Sequence, residues 1–137
     1  MSQPVLPLRA AIRAACLGDA TLAGLMGGAV GVHDEPPRAA RPVYAVFGSA
    51  TARDWSTSTD RGHEQELSLT VWAKPGSAAT ALRAADRMAA LLDEADLPLA
   101  GHRLVRLSVT RTESERDARS GLTRVTLRLR ATTEAAS

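Results

Sequence analysis

Between Pro4 and Leu17 the apolar residues Val5, Leu8, Ile12 and Ala15 or Cys16 recur at spacings of three and four, while Arg9 and Arg13 fall on another face. That period predicts an amphipathic helix. Pro4 or Pro7 can occupy its first turn, where a missing amide costs little. Gly18 ends it, and Asp19 is placed to cap a second, shorter helix through Met26 by accepting from its free amides. Gly27 and Gly28 supply a positive-φ exit. The period then changes to two. Val30 and Val32 alternate with Gly31 and His33 in a short strand, and Pro36 and Pro37 fix a loop through Arg41. Val43 to Phe47 is a continuous apolar run, the mark of a buried strand, closed by Gly48.

A polar stretch from Ser49 to Gly62 follows, reading as a long loop around Trp55. His63 to Trp72 then alternates strictly, with Leu67, Leu69 and Val71 on one face and Glu64, Glu66, Ser68 and Thr70 on the other. Lys74-Pro75-Gly76 turns the chain, and Ser77 starts the main helix, Ala78 to about Ala95, on the stripe Leu82, Ala85, Met88, Ala89 and Leu92. Asp93 and Glu94 crowd the end of that helix disfavoured by the macrodipole, so they call for fraying or an arginine partner. After Leu97 to Gly101, the segment Arg103 to Arg111 reads as a strand with Val105, Leu107 and Val109 inward. Thr112 to Gly121 reads as a second charged loop. Leu122 to Thr132 closes the fold with Val125, Leu127, Leu129 and Ala131 inward and Arg124, Thr126, Arg128 and Arg130 outward. Residues 133–137 read as a loose C-terminal end beyond a single domain of residues 1–132.

This order predicts an α+β domain: a two-layer fold with a mostly antiparallel sheet of four to five strands and helices on one face. At 137 residues the chain suits one core, and with 3% aromatics that core is built from Leu, Val and Ala. Of 17 basic residues only Lys74 is a lysine, yet the formal net charge is +2, spread along the chain, which is no nucleic-acid footprint. The lone Cys16 excludes an internal disulfide, and no run reaches the roughly 18 apolar residues of a membrane span. Arg9 and Arg13 among alanines echo the composition of a transit peptide, but their periodicity reads as a first helix.

Candidate chemistry is sparse. Gly27-Gly28 lacks the lysine and hydroxyl of a phosphate loop, and His33, Asp34 and Glu35 point to alternate faces of a strand with no second histidine at zinc spacing. The serines and threonines of the first loop, with Asp54, Asp60 and the neighbouring His63, include the residue types of a hydrolase without the glycine-flanked elbow that exposes a nucleophile. Glu64 and Glu66, two apart on a strand, stand about 7 Å apart, and a solvated or ion-paired face accounts for them. These residues call for no catalytic site, cofactor or metal.

One ordered series carries more. Arg53-Asp54-Trp55-Ser56-Thr57, then Gly62, the strand end Leu69-Thr70-Val71-Trp72, Gly76, the alanine-rich helix, and Leu97-Pro98-Leu99-Ala100-Gly101-His102-Arg103-Leu104-Val105 together resemble the tail terminator family of long-tailed phages and gene transfer agents. That family is similar to lambda-type tail terminator and minor tail proteins. The resemblance runs from the first helix to the last strand, departing at Val43, which stands between Pro42 and Tyr44, and over His33 to Arg41.

The resemblance implies a non-enzymatic virion protein, in a virus or gene-transfer-agent particle. Its copies form a hexameric ring that caps the tail tube, stops its polymerisation and meets a neck or stopper protein, while DNA merely passes through the lumen. A ring needs opposite flanks that complement each other. The candidates for those contacts are Arg53, Asp54, Trp55 and Arg61 of the first loop, Glu115, Arg116 and Arg119 of the second, and Glu64, Glu66, Arg106, Arg124 and Arg128 of the polar sheet face. A head–tail connector, stopper or other minor tail protein is the alternative within that class, and a small nucleic-acid-binding domain the alternative outside it.

Overall fold

A computed structural model describes residues 4–38 and 42–135. Its elements run α1 (Val5–Leu17), α2 (Ala20–Leu25), β1 (Val32–His33), β2 (Tyr44–Asp54), β3 (Gly62–Ala73), α3 (Ala78–Leu92), β4 (Pro98–Leu99), β5 (His102–Arg116) and β6 (Thr123–Ala135). The sheet has six strands in the order β1-β2-β3-β6-β5-β4. All its neighbours are antiparallel except the short β1, which runs parallel to β2. The short strand expected at Val30 to His33 is β1; the strand beyond the expected four to five is β4, and both lie at the edges of the sheet and are two residues long. The loop expected through Arg41 lies partly outside the described residues.

Leu8, Ile12 and Cys16 of α1, Leu22 of α2, and Ala81, Ala84, Ala85, Met88 and Leu92 of α3 pack with Phe47, Leu67, Leu69, Val71, Leu104, Leu107, Val125, Leu127, Leu129 and Ala131 in one core. The core therefore lies between the helices and a single face of the sheet. Burial pushes the Cys16 thiol up to about 11, with Asp19 adding to the shift, so this cysteine behaves as a small core hydrophobe. The stripe of α3 is rotated from the expected one. Ala81 and Ala84 are buried and Leu82 is 44% exposed, because small alanines let the helix sit close on β3 and β6. At Ser77 the side chain makes no capping bond.

Asp19 caps α2 as expected, its Oδ2 accepting from the Leu22 N–H at 2.8 Å. It also accepts from the Arg87 Nε–H and Nη2–H at 2.9 and 2.7 Å, which ties α2 to α3. Those bonds hold its carboxyl at about 2, down from 3.8. At the far end, α3 stops at Leu92 rather than about Ala95. Glu94 turns left-handed at φ 61°, its N–H donates to the Leu107 carbonyl at 2.7 Å, and its carboxylate takes Arg106 at 2.8 Å. Asp93 accepts from the Val109 N–H at 2.9 Å. The acids that the helix dipole disfavours are thus spent on the sheet.

Three polar stretches read as loops or a loose end are strand. β2 continues through Gly48 to Asp54 across a bulge between Phe47 and Ala50, where a Cβ on Gly48 would lie 2.2 Å from the Ser68 Oγ. β5 runs on to Arg116, leaving a turn of only Asp117 to Leu122. β6 extends past Thr132 to Ala135, with Thr133 fully buried opposite His63 and the Ala135 N–H donating to the Arg61 carbonyl at 2.9 Å. Residues 136 and 137 lie outside the described residues. A bulge between Leu104 and Arg106 shifts the phase of β5, so Leu104 and Leu107 are buried while Val105, expected inward, is 42% exposed.

Val105→Ala should therefore change stability by no more than about 0.5 kcal/mol, against a loss of about 2–5 kcal/mol for Leu107→Ala, as measured by urea unfolding. The Asp19 carboxyl sits lower in the folded chain than in the unfolded one, so its contribution is present above pH 3.8 and is lost as pH falls toward 2. Asp19→Asn keeps a capping acceptor but lacks that ionisation, and its urea midpoint should fall less steeply over this acid range than that of the parent protein.

Candidate assembly surface

The face of the sheet turned away from the helices carries alternate residues of β2, β3, β6 and β5. Arginines dominate β6, and each described one has an acid within reach on a neighbouring strand or turn. Glu64 of β3, only 6% exposed, accepts from Arg53 of β2 at 2.7 Å and from Arg130 of β6 at 2.8 Å. Those bonds, Arg130 foremost, outweigh the cost of burial and lower its pKa. Arg128 reaches Glu113 of β5 at 3.2 Å. Arg124 reaches Glu115 at 3.1 Å and Asp117 at 3.9 Å, and lies over the Trp72 ring at 5.8 Å. Arg103 pairs with Glu134. The face is a lattice of alternating charge rather than a basic patch.

Two shallow depressions mark it. The first, about 590 Å³, is lined by Trp55, Glu64, Val105, Arg106, Arg130 and Thr132, among others. Trp55 is 47% exposed and Val105 nearly as much, so two large apolar side chains edge a rim of arginines. The adjoining depression, about 470 Å³, includes Thr51, Glu66, Arg128 and Arg130.

Of the residues expected at contacts, the fold gathers Trp55, Glu64 and Arg106 around the first depression and Glu66 and Arg128 around the second, while Arg53 lines a smaller hollow with Thr51, Glu64 and Glu66. Glu115 and Arg124 meet at the other end of β6. Arg116 and Arg119 stand near that end, and Arg61 sits in the turn before β3, all three exposed. Sequence reasoning passed over Val105, whose phase a bulge inverts, and Glu113, hidden in a stretch read as loop. Arg130 was legible in the alternation of β6, though its central place at Glu64 was not.

The turn from Trp55 to Arg61 is tied to itself. Asp54 accepts from the Ser56 hydroxyl and from its N–H at 3.1 Å, which lowers the Asp54 pKa. The Ser56 Oγ in turn accepts from the Gly62 N–H at 3.1 Å. Ser56 is thus bonded to the acid directly, and among the described hydrogen bonds none joins His63 to either residue. That is a turn motif and not a nucleophile with its base. Asp34, from the trio that includes His33 and Glu35, is paired with Arg13 at 2.9 Å. Among the described residues no three His, Cys, Asp or Glu side chains converge on a metal-sized site, and no helix is long and apolar enough to cross a membrane.

An α+β subunit whose distinguishing feature is a charged sheet face is the class of protein this geometry defines. The profile of tail completion protein gp17 matches residues 10–134, and the chain belongs to that family. A chain from the virion of a native gene transfer agent particle is similar in structure at a TM-score of 0.87 and 30% identity, over 98% of this chain and 100% of that one. No curated protein sequence matches it.

Gly62 holds Trp55 in place by its lack of a side chain: a Cβ there would lie 3.0 Å from the Thr133 carbonyl and 3.2 Å from the Trp55 ring. Gly62→Ala should cost about 1–3 kcal/mol and shift the emission of Trp55, measured in a Trp72→Phe background so that one tryptophan reports.

Proposed function

We propose that this protein is a tail terminator. Its copies close into a ring, six in number by the family resemblance, that caps the finished tail tube, stops tube polymerisation and gives the neck a docking surface. It acts in the virus or gene-transfer-agent particle at the tail–neck junction, after assembly in the host cytoplasm. The observation that carries the reading is the match to a gene-transfer-agent virion chain over nearly the full length of both chains, in agreement with membership of the tail completion family. A capping role needs a rigid subunit and complementary flanks and no catalytic centre. The ion-paired outer face supports it over nucleic-acid binding, because the arginines Arg53, Arg106, Arg124, Arg128 and Arg130 all lie in ion pairs, Arg53 and Arg130 sharing Glu64. DNA passing a ring of such subunits meets alternating charge and slides without being held.

Trp55 anchors the contact surface, with Val105 and Arg106 beside it. Exposed aromatics beside arginine are the usual cores of interaction hot spots. Removal of the gene from a producing strain should yield tails of unregulated length, scored by negative-stain microscopy, and complementation with the parent gene should restore one length. Normal, length-controlled tails in the deletion strain would overturn the terminator reading and leave a connector or minor tail role.

A further inference from the structure

The sheet ends in two long open edges. On one side β1 covers only Ala45 and Val46 of β2, and no described strand pairs with the outer edge of Ala50 to Asp54. On the other side β4 covers only His102 and Arg103 of β5. Glu94 and Asp93 occupy the edge at Leu107 and Val109, and no described strand pairs with it from Thr112 to Arg116. These are the two segments whose sequences read as charged loops.

Which backbone groups point outward follows from the ladder. In an antiparallel pair, residues alternate between those bonded to the facing strand and those whose N–H and C=O point away. The Trp55 N–H donates to the Gly62 carbonyl directly opposite, at 2.9 Å. Counting back along the register, Asp54, Ala52 and Ala50 present their backbone groups to the open edge. On β5 the Val109 N–H points away from β6, toward Asp93. Counting through the bulge that follows, Thr112, Ser114 and Arg116 present theirs. All six lie opposite inward-facing residues of β3 or β6, so the two edges are in phase for a continuous sheet. β2 and β5 also run in opposite directions within one subunit, since three antiparallel pairings separate them. A neighbour related by rotation about an axis along the strands therefore brings its β2 antiparallel to this β5.

We propose that neighbouring copies join by main-chain pairing of the β2 edge of one with the β5 edge of the next, Asp54 opposite Thr112, Ala52 opposite Ser114 and Ala50 opposite Arg116. The occupant of each edge is a second copy of this chain. In this register Arg53 faces Glu113 and Trp55 faces Arg111 on the outer side, which links the pair Arg53–Glu64 of one copy to the pair Arg128–Glu113 of the next. On the inner side the central pair, Ala52 with Ser114, is small, Asp54 faces the small Thr112, and the long Arg116 lies opposite the small Ala50 at the end of the edge. The inference rests on the ring reading and adds its mechanism: the subunits share a sheet, and the contacts are head-to-tail.

Thr51 and Glu115 fall opposite each other in this register at a non-hydrogen-bonded pair, where Cα atoms stand about 4.5 Å apart, within disulfide reach. Both are exposed, and the native Cys16 is buried. Tails are purified from cells carrying the Thr51→Cys/Glu115→Cys variant as sole copy, oxidised, and run on a non-reducing gel. The expected result is a ladder of disulfide-linked species from dimer upward, with none from either single variant and dimers alone when the two single variants are co-expressed. The double variant present at the tail tip without cross-links overturns edge pairing and leaves the ring reading intact; cross-linking by Thr51→Cys alone would mean a two-fold contact at this edge and overturns the head-to-tail pairing. Absence of the protein from intact tails overturns both.

Discussion

The ladder that β6 makes with β3 on one side and β5 on the other places everything else in the subunit. β6 alternates without interruption from Thr123 to Thr133, inward residues buried and outward residues polar, and it pairs with β3 in unbroken register from Ala73 to Gly62. Because the strand period is two, a slip of one residue would expose Val125, Leu127, Leu129 and Ala131 and bury Arg124, Arg128 and Arg130. That double penalty fixes the register. With β3 and β6 locked, α3 has one apolar surface to cover, and α1 and α2 close the remainder of the same face. The Arg87–Asp19 bonds then secure the small helix to the large one.

The same register arranges the charges. Glu64 stands between Arg53 and Arg130 because β3 lies between β2 and β6, and Glu113 reaches Arg128 because β5 lies beyond. Each exposed pair stabilises the subunit little. Their collective effect is to make a wide arginine face nearly neutral at short range, suited to contact with protein rather than to retention of nucleic acid. Trp55 and Val105 interrupt that lattice with apolar surface, and Gly62 is what allows the Trp55 ring to lie against the end of β6.

Much of this was legible in the sequence, and the failures share a physical cause. The helices α1 and α3, the Asp19 cap and the alternation of β3 and β6 followed from period and capping chemistry, which are local. The extent of β2, β5 and β6 did not: the outer portions of β2 and β5 are paired along only one edge, and the end of β6, though paired with both β3 and β5, is Thr-Thr-Glu with no apolar residue to mark it. Their Thr, Arg and Glu residues look like loop until a partner strand is supplied. Val105 was assigned the wrong face because one extra residue at a bulge inverts the alternation, and nothing in Leu104-Val105-Arg106 announces it. The partners of Glu94 and Asp19 depend on tertiary approach. As for the candidate surface, Trp55, Glu64 and Arg106 could be named from the chain, but their convergence on one depression required the sheet order.

A subunit with two long open edges faces the hazard that its copies polymerise without limit. Two features of this chain bear on that. Strand twist gives successive copies a constant rotation, and a heterologous contact with constant rotation either closes or forms a helix. On edge pairing, the choice falls to the register, which the bulges of β2 and β5 pin by preventing the edges from sliding past one another. The second feature is charge. Arg53 and Glu113 already have partners within their own subunit, so a new edge contact gains only the difference between one ion pair and a shared network, and that difference is small at a solvated surface. On the terminator reading, weak individual contacts would leave free copies dispersed, whereas a tube end that held several copies side by side would raise their effective concentration enough to close the sheet.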